Sequence, residues 1–168
     1  MSNILTALIV SSMAITTAAP VIPDRSDQGL TNEKLRETFV GFGYEVTDLK
    51  AADGRPIYEV VWKTDDEWTF AMDASLTASK ATVWLVMRLK KIDDPKKVPV
   101  EALLKLMAEN DSIAPMSYSF DEKTPQFYLN QAVDARDFNA ANLRKALDAM
   151  TASARRTANY WNPDRWQK

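Results

Sequence analysis

Trp68–Lys90, WTFAMDASLTASKATVWLVMRLK, is the stretch whose reading decides the fold. Trp68, Phe70, Met72, Ala74 and Leu76 alternate with Thr69, Ala71, Asp73 and Ser75. Successive side chains of a β-strand leave opposite faces, so this period of two predicts a strand with one apolar side. Ser79-Lys80 interrupts the run. Ala81–Lys90 then resumes it, with Val83, Leu85, Met87 and Leu89 on one face and Thr82, Trp84, Val86, Arg88 and Lys90 on the other. Two strands joined this closely form an antiparallel pair.

Working outward, Ile57–Lys63 is rich in β-branched and aromatic residues and predicts the preceding strand, turned into Trp68 by Thr64-Asp65-Asp66-Glu67. Tyr44–Leu49 predicts a first strand, closed by the turn Ala52-Asp53-Gly54-Arg55. Before it, Thr31 is a good helix N-cap, Leu30 and Leu35 are spaced as a hydrophobic staple, and Leu35, Phe39 and Phe42 follow at helical spacing. Gly41 and Gly43 supply the stop. Downstream, Pro99 opens a second helix whose apolar stripe is Val100, Leu103, Leu104 and Met107. Met116–Phe120 and Gln126–Val133 make a hairpin, and Asn139 caps a final helix with the stripe Leu143, Leu147, Met150 and Ala154. The expected fold is therefore α+β: a helix, an antiparallel meander of three to four strands, a helix, a β-hairpin and a long C-terminal helix.

At 168 residues the chain suits one domain and needs no disulfide or metal to stabilise it. There is no cysteine, which excludes disulfides, thiol catalysis and thiolate metal sites. There is no histidine either, so the residue most used for proton transfer near neutral pH is missing. A net charge of −2 offers nucleic acid no global basic field. Two local basic runs exist, Arg88 to Lys97 and Arg155 to Lys168, and Asp93-Asp94 interrupts the first.

The first charged residue is Asp24. An apolar run, Ile4–Val10, precedes Ser11, Ser12, Met13, Ala14 and Ile15, and small residues follow at Thr17, Ala18 and Ala19. That is the shape of a secretory signal, although Met1-Ser2-Asn3 lacks the usual basic residue. It is short for a membrane span, which needs about 20 apolar residues. The expected organisation is a signal peptide at 1–19, a flexible lead-in at 20–30, one α+β domain at 31–160 and a tail at 161–168. The expected destination is the periplasm or the medium, with membrane contact only through an uncleaved N-terminal segment.

Catalytic patterns are sparse. Gly41-Phe42-Gly43 follows a helix and lacks the further glycine of a phosphate loop. Ser79 and Lys80 are adjacent on a turn, where side chains seldom face each other. Asp65-Asp66-Glu67 lacks the ligand spacing of a calcium loop. Asp73, a charge in mid-strand, is the one residue that keeps a carboxylate-dependent hydrolase open. Asn110-Asp111-Ser112 matches a glycosylation sequon, a short pattern that is frequent by chance. No cofactor and no metal is expected.

Aromatic surface remains. If Trp68, Phe70, Val83 and Leu85 face the helices, Trp84 and Val86 face away, and Tyr58, Val60, Trp62 and Tyr128 join them if their strands have matching parity. Alternation alone does not decide which face of Ile57–Lys63 is covered. Trp62, Trp84, Val86 and Tyr128 are the candidate partner-binding residues, because the uncovered face of an antiparallel sheet is ordinarily polar.

Three segments carry a family likeness: Leu35-Arg36-Glu37 with Gly43-Tyr44-Glu45-Val46, Leu103-Leu104 with Glu109-Asn110-Asp111-Ser112, and Asn139 with Leu143-Arg144-Lys145-Ala146-Leu147. In this order the chain resembles the type III secretion chaperone-like superfamily over about Thr31 to Ala158, in particular its sensory-transduction-regulator (YbjN-like) branch. The resemblance implies an α+β domain, not an enzyme, that binds a protein or peptide through apolar surface and sheet edges, often as a homodimer. Relatives of this kind mostly work in the cytoplasm, so the resemblance and the N-terminal reading point to different compartments. A structural, envelope-associated dimer is the remaining alternative.

Overall fold

A computed structural model describes residues 29–66 and 68–166. The expected signal peptide at 1–19 and most of the lead-in lie outside the described residues.

Helix α1 spans Asn32–Gly41, and the Thr31 hydroxyl accepts the Lys34 N–H at 3.1 Å, as its capping role requires. Leu30, Leu35 and Phe39 are buried against the sheet. Gly43 follows with φ of +81°, a conformation that glycine adopts at no steric cost, and turns the chain into the first strand. The strands are β1 (Glu45–Lys50), β2 (Pro56–Lys63), β3 (Thr69–Leu76) and β4 (Thr82–Lys91). Helix α2 (Val100–Ser112) precedes β5 (Met116–Asp121) and β6 (Gln126–Asp134). Helices α3 (Ala140–Arg156) and α4 (Ala158–Trp161) close the fold.

The six described strands form one antiparallel sheet in the order β1-β2-β3-β4-β6-β5. The hairpin expected as a unit of its own is thus an extension of the meander, with β6 paired to β4 from Thr82↔Asp134 to Arg88↔Tyr128. Its place is fixed by non-local pairing, which the hairpin's own residues do not encode.

One sheet face packs on the helices. Tyr58, Val60 and Trp62 of β2 lie in register with Ala74, Met72 and Phe70 of β3, and all six are buried. Val83, Leu85 and Met87 of β4 and Phe127 and Leu129 of β6 continue that layer. From above, α3 contributes Leu143, Leu147, Met150 and Ala154, its expected stripe, with Ala146 joining them.

Helix α2 departs from expectation. Pro99 is its N-cap rather than its first residue, and Ala102 and Leu106 turn inward. Val100, Leu104 and Met107, expected in the core stripe, stand 70%, 58% and 66% exposed. The inward side is set by α4 and by β5, against which the helix packs.

The C-terminal residues fold back. The Trp161 indole N–H donates to the Ala154 carbonyl at 2.8 Å, and that of Trp166 to the Tyr160 carbonyl at 3.0 Å. The Arg165 guanidinium lies 5.1 Å from the Trp68 ring centroid. No described helix is long and apolar enough to cross a membrane.

Candidate protein-binding surfaces

Among the described residues, no helix covers the second face of the sheet. Registers place its side chains in rows. One row runs Thr47, Glu59, Asp73, Val86, Asn130 and Ser117 across all six strands; the next runs Glu45, Val61, Ala71, Arg88, Tyr128 and Ser119. Ser75, Trp84 and Ala132 form a third, with Leu49 beside Ile57 near its far end. Trp84 is 46% exposed and Leu49 41%, while Val86 and Tyr128 are half-buried.

Three of the four candidate residues, Trp84, Val86 and Tyr128, therefore share the uncovered face. Trp62 does not. It is a core residue, stacked on Tyr44 with ring centroids 5.3 Å apart and tilted against Phe70 at 5.7 Å. That aromatic row continues through Trp68 to Trp161, and Arg144 lies over Phe42 and Tyr44 at its other end. The expectation for Trp62 is corrected by strand parity. Glu59 and Lys63 share the parity of Ile57 and Val61, and those two charges mark the solvent side that the apolar residues leave ambiguous.

The middle of the uncovered face is charged. Ala71 is small enough to let the Arg88 guanidinium pass over β3, where it donates to Glu59 of β2 and lies 3.5 Å from Asp73. The nearer Asp73 oxygen, Oδ1, is buried without a hydrogen bond. Burial pushes the Asp73 carboxyl above its ordinary value, against the pull of Arg88 and with the help of the Glu59 charge. This is an ion-paired triad on a sheet surface rather than two carboxylates facing across a cleft, so it lends the hydrolase alternative no support. Ser79 meets the Thr77 hydroxyl at 3.1 Å. Among the described residues, no three potential metal ligands come together.

A second apolar surface was missed by the sequence reading. Beside the outward Val100, Leu104 and Met107, a groove of about 230 Å³ opens between α2 and β5, walled by Leu103, Leu106, Met107, Tyr118, Phe120 and Phe127. Asn110, the sequon residue, has a structural role here. Its side chain accepts the Tyr118 N–H at 2.6 Å and donates to the Tyr118 carbonyl at 3.2 Å, occupying the middle of the β5 edge as a neighbouring strand would. A signal for the groove existed, since apolar residues at 100, 102, 103, 104, 106 and 107 are too many for one stripe.

Some residues of the basic runs are ion-paired. Lys90 bonds Asp164 at 3.0 Å, Arg155 bonds Asp66, and Arg156 meets Glu109 at 2.7 Å.

No family model matches the chain, and no curated protein matches it. Solved structures do. The HopA1-SchA chaperone–effector complex matches at 16% identity and a TM-score of 0.50, covering 72% of this chain and 87% of that one. The ExsC-ExsE complex matches at 15% identity and a TM-score of 0.55, covering 77% and 94%. The heterodimeric ExoU-SpcU complex, from the type III secretion system of Pseudomonas aeruginosa, overlaps more loosely at 0.44 and 16% identity, covering 77% and 98%. At these identities the likeness is one of fold: the chain has the type III secretion chaperone-like fold that its sequence resembles.

That fold corrects the expected destination. The type III secretion chaperones that share this fold are cytoplasmic, which points away from the periplasm and the medium.

Proposed function

We propose that this chain is a non-catalytic, chaperone-like module that binds a polypeptide on the uncovered face of its sheet, akin to the sensory-transduction-regulator branch in sequence pattern. One observation carries the reading: Trp84 stands 46% exposed on the sheet face that also holds Val86, next along β4, and Tyr128, the register partner of Arg88. An exposed antiparallel face is ordinarily polar, and tryptophan and arginine are the side chains most often found at the centre of binding surfaces. Arg88, already held by Glu59 and Asp73, sits beside them. The resemblance to chaperone–effector complexes supports the same class of partner.

A photoreactive phenylalanine analogue at position 84 in the full chain tests this. A polypeptide should crosslink from position 84 and not from position 122 in the β5–β6 turn. Once purified, it should bind folded Trp84→Glu at least ~10-fold more weakly than wild type, the scale expected for loss of an aromatic anchor. Equal affinity, or no crosslink from position 84, would reject the assignment.

A further inference from the structure

Arg155, Arg156 and Arg165 belong to the second basic run, to which the proposed function gives no role. The fold gathers them. Arg155 and Arg156 stand in the last turn of α3, and Arg165 arrives from the separate turn Pro163–Arg165. All three line one open cleft of about 500 Å³, together with Trp68, Ala152 and a single described carboxylate, Asp66. We propose that this cleft binds a phosphate monoester, whose phosphoryl oxygens the three guanidinium groups take up.

Each guanidinium is held in place with donors to spare. Arg155 bonds Asp66 through Nη2, and Arg156 meets Glu109 through Nη1 at 2.7 Å. Asp66 is engaged a second time, by the Thr64 hydroxyl at 2.5 Å. The Arg165 guanidinium lies 5.1 Å from the centroid of the Trp68 ring, whose face attracts a cation. A guanidinium carries several N–H donors in a planar fork, so one bond to a carboxylate leaves others for a ligand. Side chains already held in this way lose little freedom when the ligand arrives. The dipole of α3 accounts for basic residues in its last turn, but not for Arg165, which comes from outside the helix.

The number of forks favours phosphate over carboxylate. A carboxylate offers two oxygens in one plane, which suits a single fork. A phosphate monoester offers three peripheral oxygens and a charge of about −1.5 to −2 near neutral pH, one oxygen for each arginine. The cleft is also larger than a bare phosphate needs, since a water molecule's share of liquid is only about 30 Å³. The organic part of an ester therefore has room against Ala152 and Trp68. Trp68 packs edge-on against Trp161 of α4, so the cleft lies on the helix-bearing side of the sheet, away from Trp84. A ligand there does not compete with a polypeptide on the uncovered face.

Phenyl phosphate, titrated into isotope-enriched full-length protein at low salt, tests the site. The Nε–H signals of Arg155, Arg156 and Arg165 and the indole N–H of Trp68 should shift together and saturate, while the Trp84 indole stays still. Benzoate should bind at least ~10-fold more weakly, since it engages one fork. Affinity for phenyl phosphate should rise several-fold between about pH 5 and about pH 7, following the ligand's second ionisation near pH 6. With no histidine in the chain, that rise reads the ligand's charge. Ala152→Glu, at an exposed helical position, puts a carboxylate into the cleft and should weaken binding at least ~10-fold without disturbing the helix. Arg165→Gln should weaken it on the same scale, whereas Arg144→Gln, on α3 outside the cleft, should leave it unchanged. Equal affinity for benzoate would overturn the phosphate assignment, and equal affinity for inorganic phosphate would overturn the ester. Shifts that never saturate, or that survive Ala152→Glu, would overturn the site itself. None of these outcomes depends on the polypeptide partner of the sheet face, so the two readings fail separately.

Discussion

Trp62 and Trp84 lie two strands apart in one sheet and point opposite ways. Trp62 is 8% exposed and stacks in an aromatic row that runs from Tyr44, just before β1, across β2 to Phe70 of β3. Trp84 is 46% exposed, with Ser75 and Ala132 as its register partners. The same side chain is a structural anchor on one face and free surface on the other, and the difference comes from strand parity alone. A residue's chemistry therefore does not announce its role until the covered face is known.

The contrast is broken or upheld most directly by truncating each tryptophan. Trp62→Ala should cost about 3–5 kcal/mol in urea unfolding, since it removes a packed aromatic and leaves a cavity among Tyr44 and Phe70. Trp84→Ala should stay within about 0.5 kcal/mol of wild type, as a surface substitution does. Similar costs for the two would mean that something covers Trp84 in solution.

Within the uncovered face, the middle differs from the rim. Arg88 ties Glu59 to Asp73, which are direct register partners on β2 and β3. Arg88→Met should cost about 1–3 kcal/mol, because it leaves two half-buried carboxylates facing each other without a cation. Adding Asp73→Asn should recover stability in the Arg88→Met background and give less in wild type, a coupling that a double-mutant cycle reads directly. Additive effects would show that the three charges do not act together.

These residues also show what was legible in the sequence. Thr31 and Asn139 declared their helices, because a capping hydroxyl or amide followed by an apolar period is a local signal, and the structure places both as N-caps. The alternation in Trp68–Lys90 declared β3 and β4 for the same reason. The face of β2 was less plain, since Ile57 and Val61 on one side compete with Tyr58, Val60 and Trp62 on the other. Only the charges at Glu59 and Lys63 break the tie. The outward turn of Leu104 and Met107 was not local information at all. It depends on α4 and β5 claiming the other side of α2, contacts made between segments distant in the chain. Of the candidate binding set, Trp84 and Val86 could be placed from β4 itself, whereas Tyr128 needed the β4–β6 register.

The smallest effect expected is a difference in pH dependence between two aspartates of the same face parity, Asp73 at its middle and Asp134 at its rim. Burial chiefly raises the Asp73 carboxyl, so the folded state holds that proton where the unfolded chain has lost it. Stability then falls as pH rises through that carboxyl's window, from about 4 in the unfolded chain upward to its folded value. Asp73→Asn removes this penalty, and its effect should become more favourable between about pH 3 and pH 7. Asp134 behaves oppositely. A hydrogen bond from the Arg136 side chain, joined by the Arg136 N–H at 2.9 Å, holds it down to about 2. Its contribution is present above the ordinary carboxylate range and is lost as pH falls toward that value, and because the pair is exposed, salt should weaken it. Asp134→Asn should therefore become less favourable over the same rise in pH. Urea unfolding of wild type and the two variants at three pH values tests the pair: slopes of the same sign would show that burial does not separate the middle of this face from its rim.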